Sequence, residues 1–470
     1  MTTTLPPLQE HATRDFAHFG SALQFDQIPP EAVQRMKSCV LDSLGCCLFG
    51  ATLPWTKKVA ALASLEGAKP VASMIGMGRK TSAALAALVN GTAGHAFELD
   101  DIHRESILHP GTLTVPVGLA LAEEAGRGSG KDLITAMVAG YEISTRIGNG
   151  ATMDLFMRGF HPQGTTGAFA AGATAARMMG LDAQRFQHTL GVAGSLGSGL
   201  MAAQEGAMVK RLHCGHAAQV GIYAAKLAAQ DFTGIDDIVE APYGGFVSSH
   251  STKPNPSRFT EGLGTTWETL QVGYKPHASV TSIHSALDAL KEIMVENKLT
   301  AEDIAAVETG LSPMTYVHCA WEYKAQGVTA AQMNLFYGMS VIAYDGVAFT
   351  SQYQESRLQD PKILAFIAKQ VAYVDPEIEA MGKDFRHACR VKVITKDGRS
   401  FEKLELYRRG SPEKPLSSAE IVDKFHNVVA PCMARADAQR IVDLVERLET
   451  MADLKPLIEA VSAPVKEVGR

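Results

Sequence analysis

The sequence predicts a mainly α-helical protein, built from a large all-helical domain and a smaller α+β domain. Its 470 residues are too many for one ordinary hydrophobic core, so two domains are expected. Helical segments rich in Ala and Gly dominate the first half, and strand patterns cluster between about residues 270 and 410. Because helical sequence then returns, we expect a helical domain of residues 1–268, completed by 411–470, and an inserted α+β domain of residues 269–410.

The first half of the chain has the residue spacing of buried helices. Residues 30–50 begin with a proline suited to a first helical turn and keep apolar residues at helical intervals. Residues 71–76 are short enough to be a strand or a loop. Small side chains let helix backbones approach closely, so we expect tight packing among the other helical segments. These are residues 57–66, 81–98, 113–125, 131–148, 164–179, 183–205 and 217–229.

The strands are predicted from alternating apolar and polar residues. Residues 304–311 alternate in this way, and the runs 390–395 and 400–407 flank Asp397-Gly398, a dipeptide typical of a hairpin turn. A stretch with two prolines, residues 253–259, is typical of a linker or surface loop. Further helices are expected at residues 283–297, 328–344, 417–430 and 437–448.

Composition excludes several classes of function. The formal charge is −6 with no basic cluster, so nucleic-acid binding is not expected. Seven scattered cysteines without a CxxC pair argue against a disulfide framework and structural zinc, and for a reducing compartment. The first sixteen residues lack the pattern of a signal peptide. The longest uncharged window, residues 325–344, is too polar for lipid, so we expect no membrane span and a cytoplasmic protein.

Residues 90–116 hold the densest group of chemically active side chains. Five of them lie within a dozen positions, at the predicted end of an apolar helix: Glu98, Asp100, Asp101, His103 and His109. Carboxylates and imidazoles at this density are typical of a site rather than of a solvated helix face. Each residue taken alone has a structural alternative, since Asp100 or Asp101 can cap a helix and a single buried histidine is usually structural.

Three other segments place polar groups in glycine-rich or apolar surroundings. His161 lies in the loop 158–167 before a predicted helix, Lys210 lies in the segment 209–216, and Lys275 opens the second domain. Two further histidines, His277 and His284, follow Lys275. Together these segments supply the cations, imidazoles and carboxylates needed to bind a small polyanionic acid and to move a proton beside its carboxylates.

Other kinds of site fit the sequence less well. Asp101, His103 and His109 are an alternative metal-ligand set, but their spacing matches neither a HExxH helix nor an EF-hand loop. The chain has no GxSxG nucleophile elbow and no P-loop, and its glycine clusters lie among helices rather than after a strand. The sequence therefore favours acid/base chemistry without a metal or cofactor.

The chain resembles a known family, MmgE/PrpD, whose members include 2-methylcitrate dehydratase, cis-aconitate decarboxylase and iminodisuccinate epimerase. The shared motifs occur in the family's order over nearly the whole chain. They are LDSLGC (41–46), HAFELDD (95–101), GYEISTRIG (140–148), GFHPQGTTGAF (159–169), MVKRLHCGHAAQVG (208–221) and YGGF (243–246). A GLGxxW run at 262–267 and HCxW at 318–321 make the chain most similar to the fungal type of cis-aconitate decarboxylase.

The resemblance implies a homodimer with a metal-free site between the helical domain and an α+β lid domain. It places the family's acidic-loop residues on Asp100 and Asp101 and its lid lysine on Lys275. We assign proton transfer to His109 and His161, and carboxylate binding with charge stabilisation to Lys210 and Lys275. We expect Asp101 to orient or tune an imidazole. The other candidates for substrate binding are Asp100, His277 and His284, with His103 and Tyr141 as second-tier candidates.

The segment from Lys275 to His284 in the predicted lid domain differs from that of some relatives, so the sequence does not decide which reaction is catalysed. The animal type of cis-aconitate decarboxylase has a histidine where this chain has Val280, whereas His277 and His284 lie nearby here. We expect a cofactor-independent lyase acting on a small di- or tricarboxylic acid, similar to cis-aconitate decarboxylase. The alternatives are a 2-methylcitrate-type dehydratase, an epimerase, and a catalytically inactive polycarboxylate-binding protein.

Overall fold

In a computed structural model, residues 11–468 are described, and they form twenty α-helices and eight short β-strands. The helices before residue 265 are α1 (Ala12–Ala22), α2 (Pro30–Gly50), α3 (Pro54–Leu65), α4 (Ala83–Gly94), α5 (Gly111–Ala125), α6 (Gly130–Met157), α7 (Thr166–Met178), α8 (Ala183–Leu196), α9 (Val209–Ala228), α10 (Phe246–His250) and α11 (Ser257–Thr260). The later helices are α12 (His284–Glu296), α13 (Pro313–Cys319), α14 (Val328–Met333), α15 (Leu335–Asp345), α16 (Pro361–Ile367), α17 (Pro376–Ala380), α18 (Ser418–Val429), α19 (Arg435–Glu446) and α20 (Lys455–Ser462). The strands are β1 (Ala72–Met74), β2 (Arg79–Thr81), β3 (Ile102–His103), β4 (Val272–Gly273), β5 (Ile304–Leu311), β6 (Gln370–Val374), β7 (Cys389–Thr395) and β8 (Ser400–Glu405).

The mainly helical fold is confirmed, with several helix ends that differ from the prediction. Helix α4 ends at Gly94 instead of continuing to Glu98: the backbone leaves helical geometry at His95 (φ −87°, ψ 17°), and Glu98 itself has a left-handed backbone (φ 57°). Helix α8 ends at Leu196, where the glycines Gly197 and Gly199 follow. The predicted helix 328–344 is two helices, because the Asn334 side chain caps α15 by accepting the N–H of Tyr337. Residues 253–259, expected as a linker or loop, include the start of the one-turn helix α11.

Small residues bring the helices of the first half together, as expected. Helices α4 and α9 cross where Gly91 meets Gly215, and a Cβ on Gly215 would lie only 2.1 Å from the carbonyl oxygen of Leu88. An alanine at this crossing would therefore push the two backbones apart. The close approach places the end of α4 beside the start of α9, which carries Lys210.

The second half contains a four-stranded sheet in the order β6-β5-β7-β8. Strand β6 runs parallel to β5, while β7 and β8 form the antiparallel hairpin predicted around Asp397-Gly398. The sequence analysis missed β6 and the two-residue pair β3–β4. That pair joins Ile102–His103 to Val272–Gly273, so the acidic segment is bonded to the segment that leads to Lys275.

The C-terminal helices pack against the first half of the chain. Lys424 on α18 is buried, and its ammonium donates to the Asp42 carboxylate on α2 and to the carbonyl of Leu99, both at 2.5 Å. Leu99 lies between the two acidic positions Glu98 and Asp100, so α18 supports the candidate site from behind. The division into domains at residues 268 and 410 stays a prediction.

None of the described helices is by itself long and apolar enough to cross a membrane. Helices α2 and α3 meet that criterion only as a pair, and they are bent by 84° with respect to each other. The prediction about a signal peptide falls largely on residues 1–10, which lie outside the described residues. All seven cysteines are buried and free.

Candidate active site

A cavity of about 80 Å³ lies where the acidic segment, the start of α9 and the segment around Lys275 meet. Four of the residues predicted from the sequence line it: His109, His161, Lys210 and Lys275. They come from four separate stretches of the chain, so the fold brings together what the sequence analysis could only group by chemistry. All four are buried.

Glu98 forms the centre of a buried charge cluster in this cavity. Its carboxylate accepts hydrogen bonds from Lys210 at 2.5 Å, from Arg211 at 2.6 Å and from Lys275 at 3.1 Å. Burial alone would raise the pKa of Glu98, but the three cations lower it well below its ordinary value, so the carboxylate is ionised. Three positive groups facing one carboxylate leave an excess of two positive charges, which suits an anionic ligand.

Both lysines retain donors for a ligand. An ammonium group has three N–H donors, and Glu98 uses one from each of Lys210 and Lys275. Burial, helped by Arg211 and Lys275, lowers the pKa of Lys210 to about 8, although Glu98 acts in the opposite direction. Lys210 is therefore mainly protonated at neutral pH, yet close enough to titration to transfer a proton.

Asp100 lies against two imidazoles behind the cavity wall. Its Oδ2 atom lies 2.7 Å from His95 Nδ1 and 3.4 Å from His109 Nδ1. Burial would raise the pKa of Asp100, but His109 and His95 lower it below its ordinary value. An ionised carboxylate bonded to a ring nitrogen fixes the orientation and tautomer of an imidazole, so Asp100 is placed to orient His95. Its contact with His109 is electrostatic, because the His109 Nδ1 atom has no hydrogen-bond partner among the described residues.

The position of His109 is held by its backbone as well. The Gln163 amide accepts the N–H of His109 at 3.0 Å and donates to its carbonyl at 2.9 Å. Burial, together with Lys275 and His95, lowers the pKa of His109 to about 3, although Asp100 opposes this change. At neutral pH His109 is therefore unprotonated, and one of its ring nitrogens can accept a proton.

His161 forms a second imidazole group with His213. Their Nδ1 atoms are 2.9 Å apart, so one ring donates to the other, and the His161 Nε2 atom stays free of this bond. Burial and the neighbouring His95 and Lys210 lower the pKa of His161 well below its ordinary value. His213 is only half-buried, which places it between His161 and the protein surface.

Asp101 has a different environment from the one predicted. It was expected to orient an imidazole, but its carboxyl oxygens accept the Tyr141 hydroxyl at 2.7 Å and the Gly111 N–H at 3.1 Å. Burial and the nearby Asp42 and Asp100 raise the pKa of Asp101 to about 8. In the structure Asp100, not Asp101, contacts the imidazoles. Asp101 and Tyr141 lie behind the wall and do not line the cavity.

Three other predicted substrate-binding histidines also lie outside the cavity lining. His103 bonds to Ser106 and to Glu268, at 2.9 and 3.0 Å. On the Lys275 segment, His277 bonds to Asp288 at 2.9 Å, and His284 contacts the Ser279 carbonyl at 3.1 Å. Both ring nitrogens of His103 have partners, whereas His277 and His284 are each held through Nε2, and their Nδ1 atoms have no hydrogen-bond partner among the described residues.

The metal alternative can be compared with the geometry. Among the described residues, the group of side chains close enough to share a metal ion is His95, Asp100 and His109. The set considered from the sequence, Asp101, His103 and His109, is not brought together, because Asp101 faces Tyr141 and His103 faces Glu268. In the remaining trio, His95 and Asp100 already bond to each other at 2.7 Å, an arrangement that orients imidazoles without an ion.

The sequence analysis missed several residues of the lining. Glu98 was named in the acidic segment, residues 90–116, but its position beside three cations could not be predicted without the fold. Gln204 and His318, bonded to each other at 2.9 Å, come from two short elements far apart in the chain. Arg104, Arg386 and His387 add positive charge or an imidazole to the lining, and no local density of polar residues marks positions 386 and 387.

Comparison with known proteins gives a consistent result. Residues 14–258 match the MmgE/PrpD N-terminal domain and residues 277–450 match the MmgE/PrpD C-terminal domain. The chain is 28% identical to the "cis-aconitate decarboxylase-like protein oryM" of Aspergillus oryzae, with 98% of this chain and 99% of that protein covered. It is 30% identical to cis-aconitate decarboxylase of Aspergillus terreus over 97% of this chain and 96% of that protein. Identity to the human cis-aconitate decarboxylase is 25%, over 96% and 95% of the two chains.

These matches cover both halves of the chain and agree with the motifs found in the sequence. The chain belongs to the MmgE/PrpD family.

Proposed function

We propose that this protein is a lyase that decarboxylates a tricarboxylic acid of the cis-aconitate type. The observation that carries the proposal is the cavity in which Lys210 and Lys275 face two oriented, unprotonated imidazoles. Relatives named cis-aconitate decarboxylase over almost the full chain support the same class of reaction.

Substrate binding is assigned to the cation cluster. Lys210 and Lys275 each hold one carboxylate of the acid, with Arg211 adding charge from behind through Glu98. Their burial makes each charge-assisted bond stronger than it would be in water. The excess of two positive charges is compensated when two substrate carboxylates enter.

The chemical step breaks one carbon–carbon bond. Loss of a carboxylate as carbon dioxide leaves its electron pair on the allylic carbon, and the pair spreads through the double bond toward a second carboxylate. The ammonium that binds this second carboxylate stabilises the developing charge. One proton then adds at the far alkene carbon, which gives an alkenyl dicarboxylic acid and balances the reaction.

The proton is assigned to an imidazole that becomes protonated when the substrate binds. The surroundings of His109 and His161 keep both imidazoles neutral, and the negative charges of the substrate raise their pKa values. Proton transfer by a positioned side chain of this kind typically contributes about 10²- to 10⁴-fold to the rate. The half-buried His213, bonded to His161, connects this imidazole to the surface.

The proposal includes reaction without a metal or organic cofactor, in the cytoplasm, by a homodimer. Exposed apolar side chains on α9, Val209, Tyr223 and Leu227, recur along one face and favour a contact with a second copy. Light scattering coupled to gel filtration should give twice the chain mass of 50.2 kDa. Turnover that survives exhaustive treatment with a chelator supports the cofactor-independent mechanism.

The activity is tested by incubating the protein in deuterated water with cis-aconitate, with 2-methylcitrate and with an iminodicarboxylate. Proton NMR should show loss of carbon dioxide from cis-aconitate and one deuterium in the product. Alkene formation from 2-methylcitrate alone would instead identify a dehydratase, and deuterium exchange alone would identify an epimerase. Binding of these acids without any conversion would contradict the proposal and favour a polycarboxylate-binding protein.

A further inference from the structure

A second cavity of about 870 Å³ adjoins the active-site cavity, which measures about 80 Å³. We call it the antechamber. Its walls come from the end of α6, the turn at residues 201–205, and helices α13 and α14. Six lining residues are shared by both cavities, so the two are continuous. They are Phe156, Met201, Gln204, Met314, His318 and Met333.

The antechamber is apolar where the active-site cavity is charged. Among its described lining side chains none is Lys, Arg, Asp or Glu, and four are methionines, whose flexible thioethers adapt to ligands of varied shape. Two of its polar side chains, Gln204 and His318, bond to each other at 2.9 Å where the two cavities meet. Of the two cavities, only the active-site cavity therefore offers cationic side chains to a carboxylate.

The rim of the antechamber exposes large apolar surface. Met157, on α6, is 66% exposed, and Val317, on α13, is 78% exposed. Apolar side chains exposed around a concavity are typical of a binding site. Since this concavity continues from the carboxylate-binding cavity, a substituent on the bound acid that points away from Lys210 and Lys275 enters it.

We propose that the substrate carries an alkyl chain on its tricarboxylate head and that the antechamber holds this chain. The inference rests on the proposed function for the head and adds the class of substrate. The proposed substrate is an alkyl homologue of cis-aconitate, with the alkyl chain on the methylene carbon beside a terminal carboxylate. Decarboxylation then follows the same electron path and gives an alkylidene dicarboxylic acid.

The first test measures binding of saturated, unreactive probes by calorimetry. Propane-1,2,3-tricarboxylate and its homologues with a methyl, butyl or hexyl group on a terminal methylene carbon present the same head with increasing chain length. Each buried methylene should lower Kd about fourfold, the value expected for transfer of one CH2 from water. The probes bind whether or not the protein turns over the corresponding alkenes.

The second test uses a variant on the rim. Val317→Asp places a charge in the antechamber, outside the active-site cavity, and should abolish the dependence of Kd on chain length while leaving Kd for the unsubstituted probe within about twofold. Val295→Asp is the matched control, because Val295 is also a helical valine, is 68% exposed, and lies outside both cavities. This control should keep the full dependence.

The same series is then assayed as cis-aconitate homologues for kcat/KM. A rise with chain length that Val317→Asp removes supports the inference. A Kd that does not fall with chain length overturns it, and indicates that the apolar wall is covered by a second copy or by closure of the site. Absence of carbon dioxide release from every homologue, with Kd still falling, contradicts the proposed function and leaves the alkyl-binding inference supported.

Discussion

Asp100 and Asp101 are neighbours in the chain but differ in their protonation because their partners differ. Asp100 faces two imidazoles and stays ionised, whereas burial and two nearby carboxylates raise the pKa of Asp101 to about 8. Only Asp100 can therefore act as a negative orienting group at neutral pH. The two residues offer a matched pair for mutation.

Asp100→Asn should lower kcat by about 10²-fold or more, since a neutral amide does not stabilise an imidazolium at His109 or at its neighbour His95. Asp101→Asn should keep kcat within a few-fold at pH 7, because a neutral amide oxygen can still accept the Tyr141 hydroxyl. Steady-state assays of both variants, with circular dichroism to check folding, measure the difference. Equal losses in the two variants would contradict the assigned roles.

The pH dependence of kcat/KM should reflect Lys210. Its ammonium is charged below a pKa of about 8 and loses its proton above it, so kcat/KM should fall as the pH rises through about 8. Lys210→Arg should lower activity but remove this alkaline decline, because a guanidinium stays protonated. Lys226→Arg, on the outer part of α9, is the control and should keep the wild-type profile. If kcat/KM of Lys210→Arg still falls as the pH rises through about 8, the alkaline decline belongs to a group other than Lys210.

At the residue scale, the sequence predicted which residues meet in the cavity better than it predicted their contacts. His109, His161, Lys210 and Lys275 line the cavity as expected, because their local density and family motifs marked them. The roles of Asp101, His277 and His284 could not be predicted in this way, since which of two adjacent carboxylates turns toward an imidazole depends on backbone angles. The positive φ of Glu98 is one such angle.

At the scale of elements, the start of α5 positions the site. Gly111 follows His109 and Pro110, and a Cβ on it would lie 2.3 Å from Ser43 Oγ and 2.8 Å from Asp101 Oδ1. A glycine is required at this position because α5 begins in direct contact with α2 and the acidic segment. The beginning of the helix therefore determines where His109 lies.

Gly111→Ala should lower the free energy of unfolding by about 1–3 kcal/mol and displace His109, with a loss of kcat. Urea denaturation and steady-state assays measure the two effects. Ser43→Ala removes the nearest clashing atom, and Ser43 Oγ has no hydrogen-bond partner among the described residues, so the double variant should recover part of both losses. A double variant no better than Gly111→Ala would show that the clash lies elsewhere.

The existence of most elements could be predicted, but not all their ends. Periodicity identified most of the longer helices and the hairpin of β7 and β8, because burial patterns are local, but it missed α1, α13, α16 and α20. The strand β6 pairs in parallel with β5 at a distance of some sixty residues in sequence, and the β3–β4 pair is two residues long, so neither leaves a clear local signal. The β3–β4 pair nevertheless joins the two sides of the site.

At the scale of the whole molecule, the site depends on the C-terminal segment. Lys424 on α18 reaches Asp42 on α2 and the Leu99 carbonyl, between Glu98 and Asp100. The chain thus returns to its first helices after forming the sheet.

Lys424→Met should lower the free energy of unfolding by about 3–5 kcal/mol, since it leaves the buried Asp42 without its cation. It should also lower kcat, because the segment around Leu99 loses its support. Chemical denaturation and assays measure both. Lys455→Met, at an exposed position on α20, is the control and should change neither. If Lys424→Met is destabilised but fully active, the contact of α18 with the Leu99 segment is not needed for the activity of the site.

The central claim is that one cavity binds a tricarboxylate through Lys210 and Lys275 and presents His109 and His161 to its reacting carbons. A crystal structure with bound propane-1,2,3-tricarboxylate tests it most directly. We expect two carboxylates within about 3 Å of the two lysine ammonium groups and both imidazoles facing the ligand. A ligand bound elsewhere, or turned so that its carboxylates meet neither lysine, would contradict the account.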